Sequence, residues 1–96
     1  RSAYAPAIPT LAEQGLKVES TSWNGLLAPA GTPDAVVQRM NAAVNQAMQS
    51  PAVVDAFQKG SIAARSGTPE QFGDFIRSEI ARYAEVIRRA GITADN

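Results

Sequence analysis

The stretch SWNGLLAPAGTP, residues 22–33, shows how this chain is organised. It combines a tryptophan, a glycine, a short apolar run and two prolines, and this mixture matches no single helix or strand. Within twelve positions its residues change from bulky to flexible to rigid.

The residues before this stretch predict a short helical segment and a strand. In IPTLAEQG, residues 8–15, good helix formers lead to Gly15, which predicts one or two helical turns. The next segment, Leu16–Trp23, is rich in β-branched and aromatic residues. Because neither of its alternating faces is cleanly polar, we expect a strand that is covered on both sides.

Three helices are predicted after the stretch, each with a proline near its start. In the first, Thr32 is a candidate cap and Pro33 takes the first helical position. The second begins at Ser50-Pro51 and ends at Gly60, and the third runs for about six turns from a Thr68 capping box to Gly91. Apolar residues recur every three or four positions in the first helix at Val36, Val37, Met40, Val44, Ala47 and Met48, and in the third at Phe72, Phe75, Ile76, Ile80, Tyr83 and Ile87.

Two shorter features complete the organisation. SIAARSG, residues 61–67, predicts an edge strand or an extended connector. The pattern Gly-Thr-Pro-acid occurs at residues 31–34 and again at residues 67–70. Because the residues that follow the two copies do not correspond, we interpret the pattern as reuse of a helix start and not as a tandem repeat.

Composition excludes several classes of function. The 96 residues carry nine basic and nine acidic side chains, so no basic face is available for nucleic acid. Cysteine and histidine are absent, which excludes disulfides, imidazole chemistry and the common zinc sites. No apolar stretch approaches the roughly 18–20 residues of a membrane span, so we expect no direct membrane insertion. The sequence predicts no metal site and no cofactor.

Catalytic motifs are also missing from the sequence. The serines have no histidine to activate them, Ser-x-x-Lys does not occur, and no glycine-rich phosphate loop is present. Acidic and basic residues three or four apart on the third helix, as in Asp74–Arg77, Glu79–Arg82 and Glu85–Arg88, predict solvated ion pairs. We therefore expect no enzymatic activity from these residues.

Trp23, the sole tryptophan, has two interpretations. It could fill a core or a domain interface, with its indole N–H bonded to a carbonyl. It could instead form the wall of a cleft beside Ser22, Asn24 and Gly25, where the missing side chain of Gly25 lets a ligand or another backbone approach.

Several segments in order resemble one protein family. PTLAEQG, VESTSWNGLLAPAGTP, a Val-Val-x-x-Met-Asn helix, and the long run from SPAVVDAFQKG to the last helix resemble the C-terminal portion of the substrate-binding receptors of tripartite tricarboxylate transporters, the Bug proteins. The similarity runs from about Pro9 to Ile92, and the Ser-Trp-x-Gly-x-x-Ala-Pro-Ala-Gly-Thr-Pro stretch is its most specific part. From this resemblance we expect the family's first and larger part, which holds the signal peptide, the first lobe's initial strands and most of the second lobe, to lie outside this chain.

This resemblance implies an α/β fold, a helix-rich fragment of a two-lobed periplasmic binding protein with three main helices plus one or two strands. Residues 1–25 would be the end of the second lobe and a hinge-crossing strand, and residues 26–96 the C-terminal helical part of the first lobe. The ligand-binding residues carried over from the family are Ser22, Trp23, Asn24 and Gly25. The implied ligand is a small organic acid such as a di- or tricarboxylate or an acidic amino acid, the implied partners are the membrane permease subunits, and the implied location is the periplasm.

Two alternatives remain beside the transport receptor. The chain could be a free-standing helical protein-interaction module whose apolar stripes close a small bundle or dimer, with no small-molecule ligand. It could also serve a sensory receptor that presents its closed form to a signalling partner. For a fragment we expect exposed apolar faces and strand exchange between two copies in a homodimer, since an unpaired strand seeks an edge.

Overall fold

The computed structural model describes residues 1–94, within which three α-helices follow one another: α1 (Asp34–Ala47), α2 (Pro51–Lys59) and α3 (Pro69–Ala90). They confirm the three predicted helices, and the 22 residues of α3 correspond to about six turns. Residues 95 and 96, the end of the predicted 26–96 unit, lie outside the described residues. None of the helices within residues 1–94 combines the length and the hydropathy that crossing a bilayer requires.

Both predicted ends of α3 are confirmed. The Thr68 hydroxyl accepts a hydrogen bond from the Gln71 N–H at 3.1 Å, and the Gln71 side chain accepts one from the Thr68 N–H at 2.9 Å. This reciprocal pair is a capping box, and Pro69 follows it in the first turn. At the other end Gly91 adopts a left-handed conformation with φ 66°, which a residue without a side chain reaches at least cost.

The start of α1 differs from the prediction. Pro33 is the N-cap residue and not the first helical residue, and it offers no side-chain hydrogen bond to the helix. The Thr32 hydroxyl donates to the Pro29 carbonyl at 2.7 Å, so Thr32 stabilises the preceding turn and does not cap α1. Of the two Gly-Thr-Pro-acid copies, only the second, at residues 67–70, therefore provides a side-chain cap.

The end of α2 falls where it was predicted, but a different residue makes the turn. Gly60 has an ordinary negative φ of −85°, whereas Ser61 is left-handed with φ 55°. The Ser61 N–H donates to the Gln58 carbonyl at 3.1 Å and the Ile62 N–H to the Phe57 carbonyl at 2.8 Å. These two bonds form a Schellman motif, whose left-handed position is one residue beyond the predicted glycine.

The predicted strands are not present. Residues 1–94 contain no β-strand at Leu16–Trp23 or elsewhere, and of the two alternatives for residues 61–67 the structure shows a connector between α2 and α3 and not an edge strand. A β-strand requires backbone hydrogen bonds to a neighbouring strand. Among the described residues, no backbone N–H from residue 19 to residue 31 donates to a backbone carbonyl. The helical turns predicted in residues 8–15 form consecutive hydrogen-bonded turns instead, ending at Gly15 with φ 89°.

The described residues do not enclose a hydrophobic core. No side chain within residues 1–94 is buried, and Leu26 and Leu27 are 69% and 72% exposed. The accessible surface is 8266 Å², whereas a folded monomer of 10.1 kDa has roughly 5,300 Å². The radius of gyration is 16.9 Å, compared with about 12.5 Å for a compact domain of this length. The apolar stripes predicted from the sequence are therefore formed but largely unpartnered.

Two asparagines of α1 hold the start of α3. The Asn45 side chain donates to the Gly67 carbonyl at 2.9 Å and accepts from the Gly67 N–H at 3.3 Å. The Asn41 side chain donates to the same carbonyl at 2.9 Å. Because Gly67 immediately precedes the capping box, these bonds fix the first turn of α3 relative to α1.

Candidate ligand-binding site

An aromatic cluster of Trp23, Phe72 and Phe75 joins the predicted crossing segment to α3. The Trp23 ring meets Phe72 edge-to-face at 5.7 Å between centroids and Phe75 at 5.1 Å, and the two phenylalanines stack at 6.2 Å. Such pairs add about 0.5–1.5 kcal/mol beyond their buried area. Trp23 nevertheless stays 39% exposed, so it packs on α3 and still offers surface to solvent.

Gly25 lies directly against the ring of Phe72. A Cβ atom at position 25 would stand 2.2 Å from Phe72 Cζ and 2.7 Å from Cε2, well inside any real contact distance. Only a residue without a side chain allows the segment to approach α3 this closely. One interpretation of the sequence pattern was that a ligand or another backbone approaches Gly25, and the group found against it is instead the side chain of Phe72.

Ser22 and Asn24 are exposed. The structure therefore brings Trp23 and Gly25 together on Phe72 and leaves the two polar residues of the segment accessible. Hydroxyl and amide groups in this setting can donate to and accept from a small polar ligand.

A polar groove that the sequence did not predict lies beside the aromatic cluster. Its volume is about 310 Å³, and it is lined by Glu19, Ser20, Thr21, Arg65, Phe75, Ser78, Glu79 and Arg82. Two guanidinium groups face two carboxylates there, and three hydroxyls complete the lining. The groove can therefore hydrogen-bond a polar group, but its charges balance. Within residues 1–94 no acidic cluster suits a metal ion.

Arg82 connects α3 to the segment ahead of Trp23. Its guanidinium donates to the Glu19 carbonyl and to the Glu79 carboxylate, each at 2.6 Å. The hydrogen bond that Arg82 donates to the Glu79 carboxylate raises the pKa of Arg82 above its ordinary value. The Glu79 side chain is only 12% exposed, so this pair differs from the solvated pair that was predicted.

The other predicted ion pairs on α3 are solvated, as expected. Arg77 pairs with Asp74, and Arg88 and Arg89 both pair with Glu85, with every guanidinium largely exposed. All these pairs show the same three- or four-residue spacing in the sequence as Glu79–Arg82. Only the Glu19 carbonyl, 63 positions from Arg82 in the chain, distinguishes that pair, and no local pattern signals such a contact.

Comparison with known proteins gives a consistent family match. The profile of the tripartite tricarboxylate transporter family receptor matches residues 1–92. No solved structure gives a significant match to this chain.

Curated relatives match along nearly the whole chain. Protein BugT of Bordetella pertussis is 39% identical over 92 residues, covering 95% of this chain and 28% of that protein. A UPF0065 protein encoded in the tcbD-tcbE intergenic region of a Pseudomonas species is 40% identical over 89 residues, covering 91% and 26%. A UPF0065 protein from the gbd 5' region of Cupriavidus necator is 30% identical over 92 residues, covering 96% and 28%. The chain thus spans little more than a quarter of the length of these three relatives.

Proposed function

Because this chain belongs to the tripartite tricarboxylate transporter receptor family, we propose that it forms part of an extracytoplasmic solute-binding receptor that captures a small organic acid. The proposed ligands are di- and tricarboxylates and acidic amino acids. The proposed partners are the membrane permease subunits of the transporter, and the proposed location is the periplasm, which is usual for this family.

The observation that carries the proposal is the placement of the family's most specific stretch. Ser22–Gly25 lies against α3 through the aromatic cluster, and Trp23 keeps 39% of its surface exposed. A partly exposed aromatic ring with accessible polar neighbours is a common composition for a small-molecule site. The Ser22 hydroxyl, the Asn24 amide and the backbone at Gly25 supply hydrogen bonds for a carboxylate without a cage of arginines, which suits a site that must also release its ligand.

We further propose that residues 1–25 end the second lobe and cross the hinge, and that residues 26–96 belong to the first lobe. The two ranges meet at the aromatic cluster, because Trp23 lies at the end of the first range and its two partners lie on α3 in the second. We assign no catalytic residue, in keeping with a family of substrate-binding receptors.

Ligand binding by the 96-residue chain can be measured by thermal unfolding and by the emission of Trp23. Succinate, citrate and glutamate should each be titrated against the neutral analogues succinamide and glutamine at constant ionic strength. We expect at least one acid to raise the unfolding midpoint as its concentration rises, since a ligand that binds the native state stabilises it. Equal responses to the acids and to their neutral analogues would contradict the proposal.

A variant ties this response to the site. Trp23→Ala should abolish the acid-dependent shift, whereas Phe57→Ala, which removes an aromatic side chain of α2 outside the cluster, should retain it. Loss of the shift in both variants would mean that it does not report on Ser22–Gly25.

A second function, the helical interaction module, is favoured by one observation. Large apolar side chains such as Leu26, Leu27 and Ile80 remain exposed, and exposed apolar patches mark interaction sites. We propose association of two copies, including strand exchange, as the form this function would take in the isolated chain. A cooperative dimer that is indifferent to every acid would favour this function over the receptor.

A further inference from the structure

The four candidate site residues divide into two pairs by what they contact. Trp23 packs edge-to-face on Phe72 at 5.7 Å, and the Gly25 backbone lies where a Cβ would be 2.2 Å from the tip of the same ring. All four residues are exposed, and the two pairs differ in that Trp23 and Gly25 contact the Phe72 ring.

We propose that Trp23 and Gly25 anchor the segment on α3, that Phe72 is the positioning residue beneath them, and that Ser22 and Asn24 make the polar contacts with the acid. The ligand role of Ser22 and Asn24 rests on the proposed receptor function. The anchoring role of Phe72 does not.

Phe72 is suited to positioning because its own location is strongly determined. It lies in the first turn of α3, where its N–H donates to the Thr68 carbonyl at 3.1 Å. The capping box fixes that turn, and the bonds from Asn45 and Asn41 to Gly67 tie it to α1. A binding segment held on such a support presents its donors in one orientation, which lowers the entropic cost of binding.

The contact between Gly25 and Phe72 predicts a specific rescue in the full 96-residue chain. Gly25→Ala should push the segment off α3, shifting Trp23 emission to longer wavelength and increasing its quenching by acrylamide. Phe72→Leu removes Cε and Cζ, the ring atoms that the new methyl group would meet. The double variant should therefore lie closer to the wild type in emission and quenching than Gly25→Ala does.

Two variants control for general effects. Gly73→Ala adds a methyl group within α3 whose nearest side-chain neighbours would be flexible Arg77 atoms at 3.6 Å. Phe57→Leu makes the same exchange as Phe72→Leu, but on α2. Neither should change Trp23 emission or rescue Gly25→Ala. Unchanged Trp23 emission in Gly25→Ala, or no rescue by Phe72→Leu, would overturn the anchoring role of Phe72. Far-UV circular dichroism distinguishes displacement of the Trp23 segment from loss of helical structure.

The ligand contacts are tested separately with succinate, citrate and glutamate. Ser22→Ala and Asn24→Ala should each weaken the response to the binding acid by about tenfold, while the emission of Trp23 without ligand stays unchanged. Full acid responses in both variants would overturn the division between the two pairs. If the wild type responds to none of the acids, the receptor function fails and the ligand role of Ser22 and Asn24 fails with it, whereas the emission data still decide the anchoring role.

Discussion

Asn45 shows how much one side chain contributes to this structure. Its amide both donates to and accepts from the backbone of Gly67, 22 positions away, and so replaces the pairing that a neighbouring strand would give to that residue. No sequence pattern singled out Asn45, because a hydrogen bond between distant residues leaves no periodic pattern. At the residue scale, therefore, the residue type shows which hydrogen bonds a side chain can form, but it does not predict the distant residue with which they form.

Replacing Asn45 should destabilise the link between α1 and α3. Asn45→Ala removes both bonds to Gly67 and leaves its half-buried N–H without this acceptor, so we expect a loss of about 1–2 kcal/mol in the free energy of unfolding. Urea unfolding followed by far-UV circular dichroism measures the change. Gln46→Ala, at the adjacent exposed position, is the matched control and should remain within about 0.5 kcal/mol of the wild type. Equal losses in the two variants would argue against the link.

The helices illustrate what local sequence determines at the scale of the element. The start and end of α3 were predicted because capping residues interact within four or five positions of one another. The predicted cap of α1 was wrong for a related reason, whereas the predicted end of α2 at Gly60 was confirmed. The Thr32 hydroxyl donates to the preceding Pro29 carbonyl instead of capping α1. At the end of α2, Ser61 and not Gly60 adopts the left-handed conformation. In both places a competing local interaction determined the geometry.

The two Gly-Thr-Pro-acid copies give a direct comparison of capping. Thr68→Ala removes a side-chain cap and should lower the free energy of unfolding by about 1 kcal/mol. Thr32→Ala should cost less, since Thr32 does not cap α1 and supports only a turn. Urea unfolding of the two variants in parallel distinguishes them, and a larger loss for Thr32→Ala would contradict the assignment.

The whole molecule exposes about 3,000 Å² more surface than a compact monomer of its mass, from its 8266 Å² and the usual scaling of area with mass. A standard protein interface buries about 1,600 Å² in total. The exposed surface is therefore large enough for an interface with a stable partner. It includes Leu26 and Leu27, which follow Trp23 in the sequence.

We accordingly expect the isolated chain to self-associate as its concentration rises. Sedimentation velocity across a range of concentrations measures this association. The double variant Leu26→Ser, Leu27→Ser should weaken it more than tenfold, since burying each leucine contributes about 1.5–3 kcal/mol. Gln58→Ala, an exposed polar change on α2, should leave it unaltered. A monomer at all concentrations would contradict both the association and the strand exchange.

The sequence alone determined the three helices, most of their boundaries and the receptor family, because caps, apolar periodicity and a specific motif are encoded over short spans of the chain. Only the tertiary structure decided that Phe72 is the approaching group, that Arg82 reaches the Glu19 carbonyl, and that Leu16–Trp23 is not a strand. Contacts and pairing of this kind depend on which distant residues meet, and that is set by the packing of whole elements.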